Sequence, residues 1–226
     1  MKTIETLAQT RATGALVQAA PANRVLRNTY WLLSLTLLFS AGAAALTAVL
    51  SLPHPGVVIT LIGYFGLLFM TVRLRNSALG LVSVFALTGF MGYTLGPIIS
   101  HYLAMPNGHQ VVMMAMGGTA AIFLGLSAYA TTSRRDFNFL GGFLMAGIIV
   151  AFLAGLGAIF FAVPALALTV SAAFVLLMAG LILYQTSQII HGGETNYIMA
   201  TVTLYVSIYN LFTSLLHLLG VFNSSE

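Results

Sequence analysis

The sequence predicts an all-α membrane protein of seven transmembrane helices, with its N-terminus cytoplasmic and its C-terminus external. Three observations carry that expectation. The 226 residues are 59% hydrophobic and 5% charged, against about 25% charged in an ordinary soluble domain, and the mean hydropathy is +1.00. Seven apolar segments follow one another, most of them long enough to cross the ~30 Å hydrocarbon core. When these segments are threaded alternately through a bilayer, all eight Lys and Arg fall on one side, which the positive-inside rule assigns to the cytoplasm.

Taken in order, residues 1–28 are polar and Ala/Thr-rich and carry Lys2, Arg11, Arg24 and Arg27. No apolar core precedes a small-residue cleavage site, so the segment does not read as a secretory signal. It is expected to be a flexible cytoplasmic tail. The membrane domain is expected over 29–222, with spans at 30–52, 57–72, 78–102, 109–132, 138–161, 165–190 and 197–221. The second span is short for the bilayer and needs its flanks to complete the crossing. Arg73 and Arg75 fall in one inner loop and Arg134 and Arg135 in another, while the last inner loop, His191 to Asn196, has neither Lys nor Arg. Residues 223–226 are left as a short external C-terminus. Gly92-xxx-Gly96, Ala41-xxx-Ala45 and Gly147-xxx-Ala151-xxx-Gly155 place small residues at helical spacing, where they let backbones approach closely in lipid. Pro97 removes a backbone donor inside the third span, so a kink is expected near Gly96 and Pro97.

The same composition excludes whole classes of function. Loops this short leave no room for a separate catalytic domain, and no basic patch tracks a phosphate backbone, so no nucleic-acid partner is expected. Without cysteine there is no thiol nucleophile or thiolate metal site. No span carries a formal charge near its centre, which argues against pumps and voltage sensors. The only lysine is Lys2, in the tail, so a retinal Schiff base is excluded. Ser127, in Gly125-Leu126-Ser127, is the nearest hint of a hydrolytic nucleophile, but no base accompanies it. No catalytic residue, cofactor or metal is therefore expected, and the lipid bilayer is the obligatory surrounding.

One pattern stands out. In the seventh span Thr203, Ser207, Asn210, Ser214 and His217 recur at intervals of 4, 3, 4 and 3, which places them on one helical face. Polar groups are costly against lipid, so this stripe should turn into the bundle or a wetted cavity. It reads either as hydrogen bonding between helices or as a conduction or ligand path. Gln185 and Gln188 occupy the inner half of the sixth span, within reach of Ser207 if the last two helices form a hairpin. Four histidines, His54, His101, His109 and His217, fall near the outer side and His191 inside, open to a shared metal or pH-sensing site or to separate interfacial roles.

The stretches Phe139-Leu140-Gly141-Gly142, Leu95-Gly96-Pro97-Ile98 and Leu204-Tyr205-Val206-Ser207-Ile208-Tyr209-Asn210-Leu211-Phe212 resemble the Bax inhibitor-one (TMBIM) family, and the likeness extends over residues 24–221. Val25-Leu26-Arg27-Asn28-Thr29-Tyr30 and Ile189-Ile190-His191-Gly192-Gly193-Glu194-Thr195-Asn196-Tyr197 resemble its bacterial branch. The resemblance implies a Bax inhibitor-like bundle in the bacterial inner membrane. It also implies a non-enzymatic role: binding FtsH, a membrane-anchored AAA metalloprotease, and restraining its degradation of membrane substrates. Other members of the family are calcium leak channels gated by two aspartates, one in each of the last two helices. Here the first of those positions falls at Gln185, after Tyr184, and the second at Ser207, after Leu204-Tyr205-Val206. Neither side chain holds a proton or calcium as a carboxylate does, so the resemblance favours the protease partner over a calcium or small-cation leak.

Overall fold

A computed structural model describes residues 2–133 and 135–223, with residues 2–21 described by backbone alone. Arg134, the side chains of the expected tail as far as residue 21, and the last three residues of the expected external terminus lie outside the described residues. The chain forms seven helices: α1 (Lys2–Val49), α2 (Val57–Leu74), α3 (Ala78–Leu103), α4 (Gly108–Ser133), α5 (Leu140–Phe160), α6 (Pro164–Ile190) and α7 (Tyr197–Asn223). Each is long and apolar enough to cross a membrane, α1 through its portion Ala22–Val49.

The expected spans are all present, with shifts at their ends that have local causes. Helix α1 passes through the boundary drawn at residues 28 and 29 without a break. There Val25, Leu26 and Thr29 are wholly or partly covered by protein while Arg24 and Arg27 are exposed. That turn is amphipathic rather than apolar, so hydropathy alone starts the span too late. Helix α2 continues to Leu74 and takes Arg73 into its last turn. Its 18 residues make a helix about 27 Å long, so the two residues gained at its end bring it close to the ~30 Å core without fully matching it. At the end of α6, Gly192 adopts φ 76° and Gly193 N–H donates to the Gln188 carbonyl at 2.8 Å. This left-handed turn, which favours glycine, ties off the helix.

Helix α7 sits at the centre and packs against α6, α4, α1 and α3; α1 packs on α3, and α5 on α6. Helix α2 packs chiefly on α3 and is the least covered of the seven. Leu87, Ile182, Leu204 and Leu211 are fully buried at the centre, and a smaller cluster of Val111, Ala115, Phe212 and Leu216 closes one end. Burial from water cannot drive helices together in lipid, so close approach of backbones has to supply the packing. Gly92 and Gly96 of α3 provide it: a Cβ on Gly96 would lie 2.5 Å from the Ala44 carbonyl oxygen and 3.0 Å from Thr47 Cβ. On α1 the face used is Ser40, Ala44 and Thr47, all buried, whereas Ala41 and Ala45 are exposed, so that sequence pair is not the seam with α3. Gly147 and Gly155 of α5 face Leu177 and Val170 of α6, with Ala151 buried between them. Helix α3 continues unbroken through Gly96 and Pro97.

Candidate functional site

The polar stripe of α7 is covered by protein along its length. Ser207 and Ser214 are buried, and Thr203, Asn210 and His217 are partly covered by protein. Its hydrogen bonds divide the two readings. Ser207 Oγ donates to the Thr203 carbonyl at 2.7 Å and Asn210 Nδ2 to the Val206 carbonyl at 2.8 Å, both within α7 itself. Such bonds satisfy a polar group without holding a neighbouring helix. His217 differs, since its Nδ1 pairs with Ser171 Oγ of α6 at 2.8 Å.

Gln185 and Ser207 are both buried on the packed pair α6 and α7. No hydrogen bond joins them, and Gln185 Nε2 finds no protein partner at all. It is one of six such buried polar atoms among the described residues, the others being Thr29 Oγ1, Tyr30 Oη, Ser127 Oγ, Ser133 Oγ and Thr186 Oγ1. Buried polar atoms without partners are rare in folded proteins. Here they gather in the halves of α1, α4 and α6 nearest the arginine loops. The layer is neutral, so it can orient water or a hydrogen-bonding solute but cannot bind a cation as carboxylates do. Ser127 Oγ belongs to it, without a hydrogen-bond partner among the described residues.

At the arginine-bearing end the three loops are tied into one plate. Asn196 Nδ2 donates to the Arg75 carbonyl at 3.0 Å and to Asn76 Oδ1 at 2.9 Å, which couples the start of α7 to the α2–α3 loop. Phe137 N–H donates to Ser187 Oγ at 3.1 Å, and Gln188 pairs with Asn138, which couples the end of α6 to the α4–α5 loop. His191 packs its Nδ1 against Ser187. Two further histidines have separate contacts: His54 Nδ1 accepts from Gly56 N–H at 3.0 Å, and the His101 ring lies 5.8 Å from that of Tyr102. Among the described residues no group of three His, Asp or Glu could hold a metal.

A tyrosine pair on α7 went unread in the sequence. Tyr205 Oη meets Ser40 Oγ of α1 at 2.5 Å and donates to the Thr88 carbonyl of α3 at 3.3 Å. Tyr209 Oη pairs with Thr94 Oγ1 of α3 at 3.1 Å. Their spacing of four along α7 was the available signal, but nothing local shows that hydroxyls await them on two other helices. Tyr209 lines two cavities between the helices, and Tyr205 lines the larger of them. One, of about 690 Å³, lies between α1 and α4 over an α7 floor. The other, of about 410 Å³, lies between α2 and α3 on one side and α5 and α6 on the other, with Asn210 in its wall.

Comparison with known proteins places this architecture. The family described as inhibitor of apoptosis-promoting Bax1 matches residues 22–224. The chain is 56% identical to the modulator of FtsH protease YccA of Escherichia coli K12, over 88% of this chain and 90% of the relative. It is equally similar to inner membrane protein YccA of E. coli O6:H1, and 55% identical to an uncharacterised protein of Pseudomonas aeruginosa over 94% of this chain and 96% of that one. These names describe a modulator and a membrane protein rather than an enzyme. With seven membrane-crossing helices, the molecule is a multi-pass protein of the inner membrane.

Proposed function

The chain belongs to the inhibitor of apoptosis-promoting Bax1 family, and from that membership we propose that it binds the FtsH protease and restrains its degradation of membrane proteins. The observation that carries this reading is the likeness, along nearly the whole chain, to a modulator of that protease. Physical considerations support it. The arginine-bearing end is the cytoplasmic one by the positive-inside rule, so residues 1–28 and the plate of loops face the side from which an AAA protease pulls. The tail is the segment such a machine grips. The seams of α1 on α3 and α5 on α6 resist extraction, because separating them exposes backbone-to-backbone contacts that lipid does not replace. A protein gripped but slowly extracted competes with other substrates.

The test is co-purification with FtsH from native membranes, comparing the intact chain with one lacking residues 1–23, alongside the decay of a membrane substrate. The intact chain should recover FtsH and slow that decay. The shortened chain should fold but restrain FtsH less. Failure of the intact chain to recover FtsH or to slow substrate decay overturns the proposal; full restraint by the shortened chain removes the tail from it.

A second reading is a cation or small-solute leak. The layer of unpartnered polar atoms around Gln185 favours it. Against it stands the lack of any carboxylate at Gln185 and Ser207, which leaves an ion's hydration shell without a replacement.

A further inference from the structure

The cavity between α2–α3 and α5–α6 has the form of a ligand pocket rather than a packing fault. Its volume of about 410 Å³ lies in the range of small-molecule sites, which are mostly apolar with a few convergent polar groups. Its wall has that composition. Tyr64, Thr94, Tyr209 and Asn210 supply polar atoms, and no charged residue lines it. Two of those groups are uncommitted among the described residues: Asn210 uses its Nδ2 on the Val206 carbonyl, which leaves Oδ1 without a donor, and the Tyr64 hydroxyl has no hydrogen-bond partner. Thr94 and Tyr209 satisfy each other.

Depth sharpens the point. Asn210 is the fourteenth residue of the 27-residue α7, at the middle of the span, where an acceptor facing hydrocarbon without a donor is expensive. A ligand that satisfies Asn210 Oδ1 must donate a hydrogen bond. It must also be neutral, because nothing in the wall would compensate an ammonium or a carboxylate at that depth. A hydroxyl meets both conditions and can accept from Tyr64 in return.

The way in is lateral. Helix α2 packs chiefly on α3, and across the cleft it meets α5 through Phe65 and Phe152, whose rings lie edge to face at 5.8 Å. Such a contact contributes about 1 kcal/mol. That is small enough to open toward the bilayer without disturbing the α1–α3 and α6–α7 seams.

We propose that this cavity binds a neutral lipid alcohol: a membrane-dissolved molecule with an apolar body and one hydroxyl, seated with the hydroxyl between Asn210 and Tyr64. The test uses the full chain in phosphatidylcholine vesicles and three alkyne-tagged photoreactive probes with a mid-chain diazirine, namely octadecanol, stearic acid and octadecane. Labelled peptides are mapped by mass spectrometry. Octadecanol should label residues of the cavity wall saturably and be displaced by excess untagged octadecanol, while octadecane labels the lipid-facing surface without saturation. Loss of one hydrogen bond in Asn210→Leu should weaken octadecanol about tenfold. Tyr64→Phe, which keeps the ring and therefore the packing, should weaken it about threefold. Equal saturable labelling by octadecane or stearic acid overturns the proposal. So does labelling outside the cavity, or octadecanol saturation unchanged in Tyr64→Phe.

Discussion

The seam between α1 and α3 allows a quantitative test of what holds the bundle together. In Gly96→Ala the added Cβ runs into the Thr47 hydroxyl and meets the Ala44 carbonyl oxygen at 2.5 Å and Thr47 Cβ at 3.0 Å. A backbone oxygen cannot rotate away, so the helices must separate, and overpacking of this kind costs about 1–3 kcal/mol. Alanine also gains about 1 kcal/mol over glycine as a helix former. Gly42, on α1 itself, isolates that second contribution, because a Cβ there meets nothing within 4 Å. Gly96→Ala should therefore lie about 2 kcal/mol below Gly42→Ala, roughly thirtyfold in the unfolding equilibrium. The assay is unfolding by sodium dodecyl sulfate in mixed micelles. It can be followed through the fluorescence of Trp31, the single tryptophan, which is on α1 and therefore on one side of the seam. Adding Thr47→Ala to Gly96→Ala should restore part of the loss, since it removes the hydroxyl contact and leaves the Ala44 carbonyl in place. Coincident unfolding of Gly96→Ala and Gly42→Ala would refute the claim that close backbone approach secures α1 on α3.

Three further outcomes follow from the same geometry. Tyr205→Phe should destabilise by about 1–2 kcal/mol, more than Tyr209→Phe in the same unfolding assay. It strands Ser40 and gives up the Thr88 carbonyl, whereas Thr94 keeps its bond to the Met91 carbonyl when Tyr209 is lost; equal losses would count against this account. In calcium-loaded liposomes the native chain should leak little, while Gln185→Asp with Ser207→Asp should create a leak that closes on acidification if the two positions face one hydrated path. Two close carboxylates hold a proton above the model value of about 3.9. A large flux through the unmodified protein would favour the leak over the protease partner. A reporter fused after Glu226 should read as external and one inserted between Arg134 and Arg135 as cytoplasmic; an internal C-terminus would contradict the proposed orientation.

Most of the fold was legible because its determinants are local. Hydropathy over about 20 residues marks a span wherever it occurs, and Gly, Pro and Asn between spans mark the turns. The errors came from mixed segments. The first turns of the α1 span mix arginines with Val25, Leu26 and Thr29, and α2 takes Arg73 into its last turn. The inward face of α7 was also readable, because Thr203, Ser207, Asn210, Ser214 and His217 recur with the helical period. Their partners were not. Ser207 and Asn210 bond back to their own helix, and only His217 reaches another one.

By itself the sequence determined that the chain lives in a membrane, how many times it crosses, which loops carry the positive charge and which family it resembles. Only the tertiary structure decided that Gly92 and Gly96 meet Ser40, Ala44 and Thr47 rather than the equally small Ala41 and Ala45. It also decided that Tyr205 and Tyr209 bond to α1 and α3, and that Asn210 lines a cavity between α2–α3 and α5–α6. The physical reason is range. Crossing a bilayer is a property of one segment against a uniform solvent, whereas a seam or a pocket depends on the rotation and depth of several helices at once. In lipid those are set by close contacts between residues far apart in the chain, with no hydrophobic gradient to announce them.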